Sequence, residues 1–234
     1  MILKKYKKEI KSVIKLNKLI STNNLTLLNF GNASYRCKKT QKIFIKGSGF
    51  DTSKLDEKKI SICKINNNKF QNLTEKVKPS VDTWTHYYIY KNIKNVNYII
   101  HSHPTYSTVL AQAEIEPECL GTTHADYFRN SIPLSKKITK LKKNYELQIG
   151  ETIVETLKKK KIKNAPGILA RNHGLYAWGD TLEKTINNAV AIEFICKLYY
   201  LTKIIGVKKI ISKNLKNFHF DRKNSSKKYY GQSK

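Results

Sequence analysis

The sequence predicts one α/β domain built round a mixed or largely antiparallel sheet. Three observations lead there. Helix-period and strand-period segments follow one another along the 234 residues. Some strand-like runs are joined by hairpin-like turns, which antiparallel neighbours use and parallel ones do not. No internal repeat, long linker or shift of composition divides the chain.

Residues 2–20 predict an amphipathic helix, with Leu3, Tyr6, Ile10 and Val13 on one face. The run from Asn29 to Ser34 reads as a turn entering a strand. Lys42–Lys46 is a short β-rich run that empties into the loop Gly47-Ser48-Gly49. Lys59–Ile65 alternates and predicts a strand, and the asparagines at 66–68 predict a hairpin into Lys69-Phe70. A helix starts near Asp82, capped by Ser80 or Asp82. Asn97–Ile100 reads as a strand and Pro104 as a break. Residues 105–113 and 145–163 predict a short and a longer helix. Gly167–Ala170 predicts a strand that ends at His173-Gly174. Ile186, Val190, Phe194, Leu198 and Leu201 line a helix apolar almost all round, which predicts burial in the interior. The segment after about residue 213 is rich in lysine and serine, yet Tyr229-Tyr230 argues against pure disorder.

This length can bury a core without staples, and Cys37, Cys63, Cys119 and Cys196 form no CxxC pair. Reduced packing cysteines in a cytoplasmic protein are expected. No run of about 18 uncharged apolar residues points to a membrane span, and the N-terminus lacks the apolar stretch of a signal peptide. The formal charge of +28 raises a nucleic-acid reading. Against it, nearly all the positive charge is lysine, and only Arg36, Arg129, Arg171 and Arg222 are arginine, the better reader of phosphates and bases. No aromatic-interleaved basic stripe is evident. A solvated basic surface that attracts small anions is the expectation, with no nucleic acid and no membrane as partner.

The chemistry concentrates in four places. His101-Ser102-His103 ends an apolar strand, and side chains two apart in an extended backbone point the same way. With His173 from a neighbouring strand they could grip one cation, and three imidazoles with an open fourth position is the arrangement of catalytic zinc. Histidines with ordinary hydrogen bonds are the alternative. Asp82 could add a carboxylate to that site or orient a ligand, or serve as a helix cap. Second, Asn32, Lys46, Gly47, Ser48, Gly49 and Ser80 lie at strand ends or loops, where backbone N–H groups and a lysine could cradle a phosphate; a plain turn is the alternative. That loop is no dinucleotide fingerprint, since it lacks the third glycine and a long helix behind it. Third, Asp126 in Gly121-Thr122-Thr123-His124-Ala125-Asp126-Tyr127 is a candidate acid/base, given burial that raises its carboxyl toward neutrality, with a turn or cap aspartate as the alternative. Fourth, His219 and Tyr230 lie near the C-terminus, and a tyrosine beside a cation can move a proton.

Taken together, Gly31-Asn32-Ala33-Ser34, Lys46-Gly47-Ser48-Gly49, Lys78-Pro79-Ser80-Val81-Asp82-Thr83, His101-Ser102-His103, Gly121–Phe128, His173-Gly174 with Ala177-Trp178-Gly179, and Tyr229-Tyr230-Gly231-Gln232 resemble the class II aldolase/epimerase family over almost the whole chain. The threonine-rich Asp126 motif, the tyrosine-containing terminus and Asp82, where the aldolases typically carry glutamate, point to the epimerase branch. The resemblance implies a three-layer α/β/α sandwich with a central, mostly antiparallel sheet. It implies a homotetramer of fourfold symmetry with interfacial active sites. His101, His103 and His173 would hold Zn2+, with Asp82 near or on the metal. Asn32, Lys46, Ser48 and Ser80 would bind a sugar phosphate. Asp126 and a neighbouring subunit's Tyr230 would be the two acid/bases, and His219 and Arg222 would shape that shared site. Thr122 and Glu146 would stand one layer further out. Residues 1–234 would form a single domain, whose segment from about 213 to 234 completes a neighbour's site.

The implied activity interconverts L-ribulose 5-phosphate and D-xylulose 5-phosphate by breaking and re-forming C3–C4, as in arabinose- or ascorbate-type sugar metabolism. An aldolase acting on a substrate such as fuculose 1-phosphate is the nearest rival. Two departures stand out. Gly47 replaces the family's proline, which should loosen the phosphate loop, and Val81 replaces a serine.

Overall fold

The computed structural model of the protein describes residues 2–66, 69–206 and 210–225. Two helices, α1 (Ile2–Lys5) and α2 (Lys7–Thr22), precede two hairpins, β1 (Asn32–Cys37) with β2 (Lys42–Lys46) and β3 (Ile60–Asn66) with β4 (Lys69–Asn72). Then follow α3 (Thr83–Asn92), β5 (Tyr98–Ser102), α4 (Thr105–Gln112), α5 (Thr122–Ala125) and α6 (Tyr145–Lys159). A third hairpin, β6 (Gly167–Ala170) and β7 (Gly174–Gly179), leads into α7 (Leu182–Ile204) and α8 (Lys213–Asn224).

The strands form one sheet in the order β4-β3-β2-β1-β5-β7-β6. All six neighbouring pairs are antiparallel. Alternation along each strand divides the apolar residues between the two faces. On β2, Ile43 and Ile45 go one way and Phe44 the other; on β5, Ile99 and Ile100 part likewise. One face is covered by α2, α4 and α7, through Leu16, Ile20, Leu110, Ala189 and Ile192 packed on Ile100, Leu175 and Ala177. That layer continues toward β3, where Tyr6, Ile10 and Val13 meet Phe44, Ile60 and Ile62. The other face is covered by α3 and α6, through Ile89, Ile149, Ile153 and Leu157 on Ile43, Ile99, Ile168 and Trp178. This is the three-layer sandwich that the resemblance implies.

The N-terminal helix expected over 2–20 breaks at Tyr6 (φ −116°), whose ring turns inward onto Phe44 at 5.4 Å. The segment after Gly167 is a complete hairpin, so the chain contributes two strands there rather than one. The interior placement expected for the helix around Ile186–Leu201 is corrected. One face of α7 is buried, but Phe194, Leu198, Leu201 and Ile204 on the other are 39–65 % exposed. Among the described residues, no helix is long and apolar enough to cross a membrane.

Candidate metal centre and cleft

The sheet register brings the three histidines together. β5 pairs with β7, and Ser102 lies opposite Leu175. His103, one residue past β5, therefore comes alongside Gly174, with His173 just before it. The β6–β7 turn that presents His173 is made by residues 171–173, with Asn172 at φ +56°, a left-handed conformation that asparagine tolerates. The His173 N–H closes the turn onto Ala170 O at 3.0 Å. Gly174 is needed for the close approach, because a Cβ there would stand 2.8 Å from Ser102 O and 3.1 Å from His103 Nδ1. After His103, Pro104 is extended and α4 begins; its Tyr106 and Ser107 N–H groups donate to Glu193 of α7, each at 2.8 Å.

His101 Nε2 lies 3.1 Å from both His103 Nε2 and His173 Nε2, and the ligand atoms of all three fall within 4.8 Å of one another. Tetrahedral ligands at about 2.0–2.1 Å from a zinc ion sit about 3.3 Å apart, so the spacing suits one cation. His101 Nδ1 donates to Leu175 O at 3.1 Å, which leaves Nε2 as the lone-pair nitrogen facing its partners. Burial lowers His103 to about 4 and His173 to about 3, with the charge of neighbouring histidines adding to it. Neutral imidazole is the ligating form. The donor set, with His103 and His173 held neutral, therefore fits a divalent metal.

Asp82 precedes α3, but its side chain does not cap the helix. The carboxylate turns toward the histidines. Oδ2 accepts from Asn32 Nδ2 at 2.7 Å, and Oδ1 accepts from the Tyr176 hydroxyl at 3.2 Å. Burial alone would raise this carboxyl; His101, His86 and His173, with the Asn32 amide, more than offset it and hold it below the ordinary value. Asn32 Oδ1 is buried with no partner among the described residues. One turn along α3, His86 is fully buried, 2.6 Å from Ser34 Oγ through Nδ1, and Ser34 Oγ is 2.8 Å from the Tyr90 hydroxyl. Burial lowers His86 to about 3, so a neutral polar chain backs the site.

The histidines and Asp82 line a cleft of about 310 Å³ together with Asn32, Lys46, Ser48, Ser80 and Glu146, and also Phe30, Gly49, Val81 and Tyr145. A larger groove of about 520 Å³, between α2 and the turn at 55–57, holds none of these groups. The phosphate cradle differs from expectation. The Gly47 N–H donates to Lys59 O and the Ser48 N–H to Lys78 O, both at 2.8 Å, so those two donors are committed to the loop itself. Lys46 is buried, its Nζ donates to Asn29 O and Phe50 O, and burial lowers its pKa. Glycine at 47 lies under close packing: a Cβ there would meet Val77 and the Phe50 ring at 2.7–2.8 Å. The Ser48 and Ser80 side chains remain on the cleft wall.

The predicted acid/base Asp126 lies elsewhere on this chain. It ends α5 and meets α8, where His219 Nδ1 is 3.1 Å away and Arg222 and Lys223 pair with it at 3.1 and 3.2 Å. Burial pushes its carboxyl up, but Lys223, His219 and Arg222 outweigh that and lower it. The expected rise toward neutrality is thus reversed. Thr122, Asp126, His219 and Arg222 are not among the cleft-lining residues, and Tyr230 lies outside the described residues. Two tyrosines that sequence reasoning missed do reach the centre. Tyr176 looks like core in an apolar strand, and Tyr145 like an ordinary first-turn residue, so neither carries a sequence signal.

The family described as "Class II Aldolase and Adducin N-terminal domain" matches residues 11–200. Among solved structures, an L-fuculose 1-phosphate aldolase aligns with TM-score 0.78 at 22 % identity, covering 92 % of this chain and 95 % of that one. A sugar-phosphate aldolase from Thermotoga maritima gives 0.70 at 18 %, covering 87 % and 98 %. An L-fuculose 1-phosphate aldolase from Glaciozyma antarctica PI12 gives 0.71 at 15 %, covering 92 % and 80 %. At these identities the likeness is one of fold.

Proposed function

This chain belongs to the class II aldolase and adducin N-terminal domain family, and from that premise we propose a metal-dependent enzyme of sugar phosphates, specifically one that interconverts L-ribulose 5-phosphate and D-xylulose 5-phosphate. The observation that carries the reading is the convergence of His101, His103 and His173 beside Asp82 in one cleft. A divalent cation held by the three histidines, with zinc favoured by their all-nitrogen set, supplies a Lewis acid for a sugar carbonyl when bound.

The residues of the chain do the rest. Ser48 and Ser80, with the charge of Lys46 behind them, hold the phosphate end. Asn32 offers its unpaired Oδ1 to a sugar hydroxyl and steadies Asp82 through its amide. In the forward direction a base takes the C4 hydroxyl proton as C3–C4 breaks, and the electron pair stays on the three-carbon fragment. The aldehyde fragment, anchored by its phosphate, turns its other face. The bond re-forms and an acid returns a proton to the C4 oxygen. Two proton carriers on opposite sides are needed. Asp126 and Tyr230 take these roles, with His219 and Arg222 orienting Asp126 and with Thr122 and Glu146 supporting the site.

A cleft that Asp126 does not line in its own chain supports completion by a second subunit, as does the exposed apolar row on α7. We assign the protein a homotetramer in which residues 213–234 close a neighbour's cleft over a single domain of residues 1–234. A monomer turning over at full rate contradicts this assembly.

The test is incubation with L-ribulose 5-phosphate, with and without a chelator. D-xylulose 5-phosphate should form only in the metal-loaded sample. Accumulation of glycolaldehyde phosphate and dihydroxyacetone, or cleavage of fuculose 1-phosphate in preference, would instead make the protein an aldolase that releases its fragments. No turnover of either substrate by metal-loaded protein overturns the proposal.

A further inference from the structure

Tyr176 has no part in the chemistry above, yet two groups of the site rest on it. It lies on β7 and is fully buried. Its ring lies nearly parallel to that of His101, with centroids 4.2 Å apart and an interplanar angle of 13°. Its hydroxyl donates to Asp82 Oδ1 at 3.2 Å. Asn32 already holds Asp82 Oδ2, so the two donors together fix both carboxylate oxygens. A phenylalanine would fill the same space. The hydroxyl therefore serves the carboxylate, since a buried hydroxyl is costly without a partner and a charged acceptor makes the stronger bond.

We propose that Tyr176 is a positioning residue of the metal centre: its ring sets the plane of His101 and its hydroxyl locks Asp82, so one side chain fixes ligand and carboxylate relative to each other. The inference rests on the cation site proposed above. It goes further in assigning the mutual geometry of His101 and Asp82 to a residue that touches neither cation nor substrate.

The two halves separate by substitution. Tyr176→Phe keeps the ring and removes the hydroxyl. Its affinity for Co2+, measured by competition with a chelator, should stay within about threefold of wild type, because charge-assisted bonding to Asp82 is lost but ring packing is not. Its kcat should fall about tenfold at unchanged KM. The same substitution in an Asp82→Asn background should cost little more, because the hydroxyl acts through that carboxylate. Tyr176→Leu removes ring and hydroxyl. Its Co2+ affinity should fall at least about tenfold, with altered cobalt absorption bands, because the His101 ring loses its support.

Tyr176→Leu with wild-type cobalt affinity and spectrum overturns the ring's role. Tyr176→Phe with wild-type kcat, or with its full penalty on Asp82→Asn, overturns the hydroxyl's role. If wild-type protein binds cobalt but turns over no sugar phosphate, the assigned reaction fails, while the cobalt comparison still decides whether Tyr176 positions His101.

Discussion

One backbone carbonyl, Leu175 O, decides which nitrogen of His101 faces the cleft. By accepting from Nδ1 it leaves Nε2 free to bind, 3.1 Å from the corresponding atoms of His103 and His173. Removing one of three ligands leaves an incomplete site. His103→Ala is expected to lose metal affinity by at least about tenfold, with turnover lost in parallel. Metal content after dialysis measures it, and a fully loaded, active variant removes His103 from the set. This triad was legible in the sequence because spacing alone aims two side chains together on a strand and a His-Gly turn closes on them. The direction of the Asp126 shift was not, because Lys223 and Arg222 reach it only through the docking of α8. Tyr176 was invisible for a similar reason: its role depends on Asp82, 94 positions away in sequence.

At the scale of elements, the site depends on how closely β7 approaches β5. Gly174→Ala would set a Cβ 2.8 Å from Ser102 O, where neither backbone can yield cheaply. Overpacking of this kind costs about 1–3 kcal/mol. A lowered melting temperature together with weakened metal binding is expected; a stable variant that binds metal normally would show that the hairpin tolerates a wider gap. The hairpins at β3–β4 and the strands β2 and β5 were legible from alternation and turn residues. The exposure of one face of α7 was not legible. Apolar residues all round a helix record that both faces avoid charge, but they do not say that the chain's own core covers both. Here Leu182, Ala189 and Ile192 are covered, while Phe194 and Leu198 face outward. The backbone accounting of the phosphate loop was equally hidden. Which N–H groups are spent is set by Lys59 and Lys78, on segments that only the sheet brings alongside.

For the whole molecule, buried neutral histidines make stability depend on pH. Burial lowers His124 to about 4, despite its hydrogen bond to Asn130 O, and lowers His86 to about 3. Their unfolded value is about 6.5. Between those limits the unfolded chain binds the proton and the folded one does not, so acidification below about 6.5 favours unfolding. Each such group costs on the order of 1.4 kcal/mol per pH unit across its window. The melting temperature should fall between pH 7 and pH 5, and His124→Gln should fall less steeply than wild type. Equal slopes would mean that His124 is not held neutral. The charge of +28 has no such local consequence: it spreads over a lysine surface that draws anions without selecting them.

X-ray absorption at the metal edge of protein reconstituted with one zinc per chain tests the central claim most directly. Three imidazole nitrogens at about 2.0–2.1 Å are expected, with one lost in His103→Ala. A shell of fewer than three imidazoles in the wild type, or one containing sulfur, would contradict it.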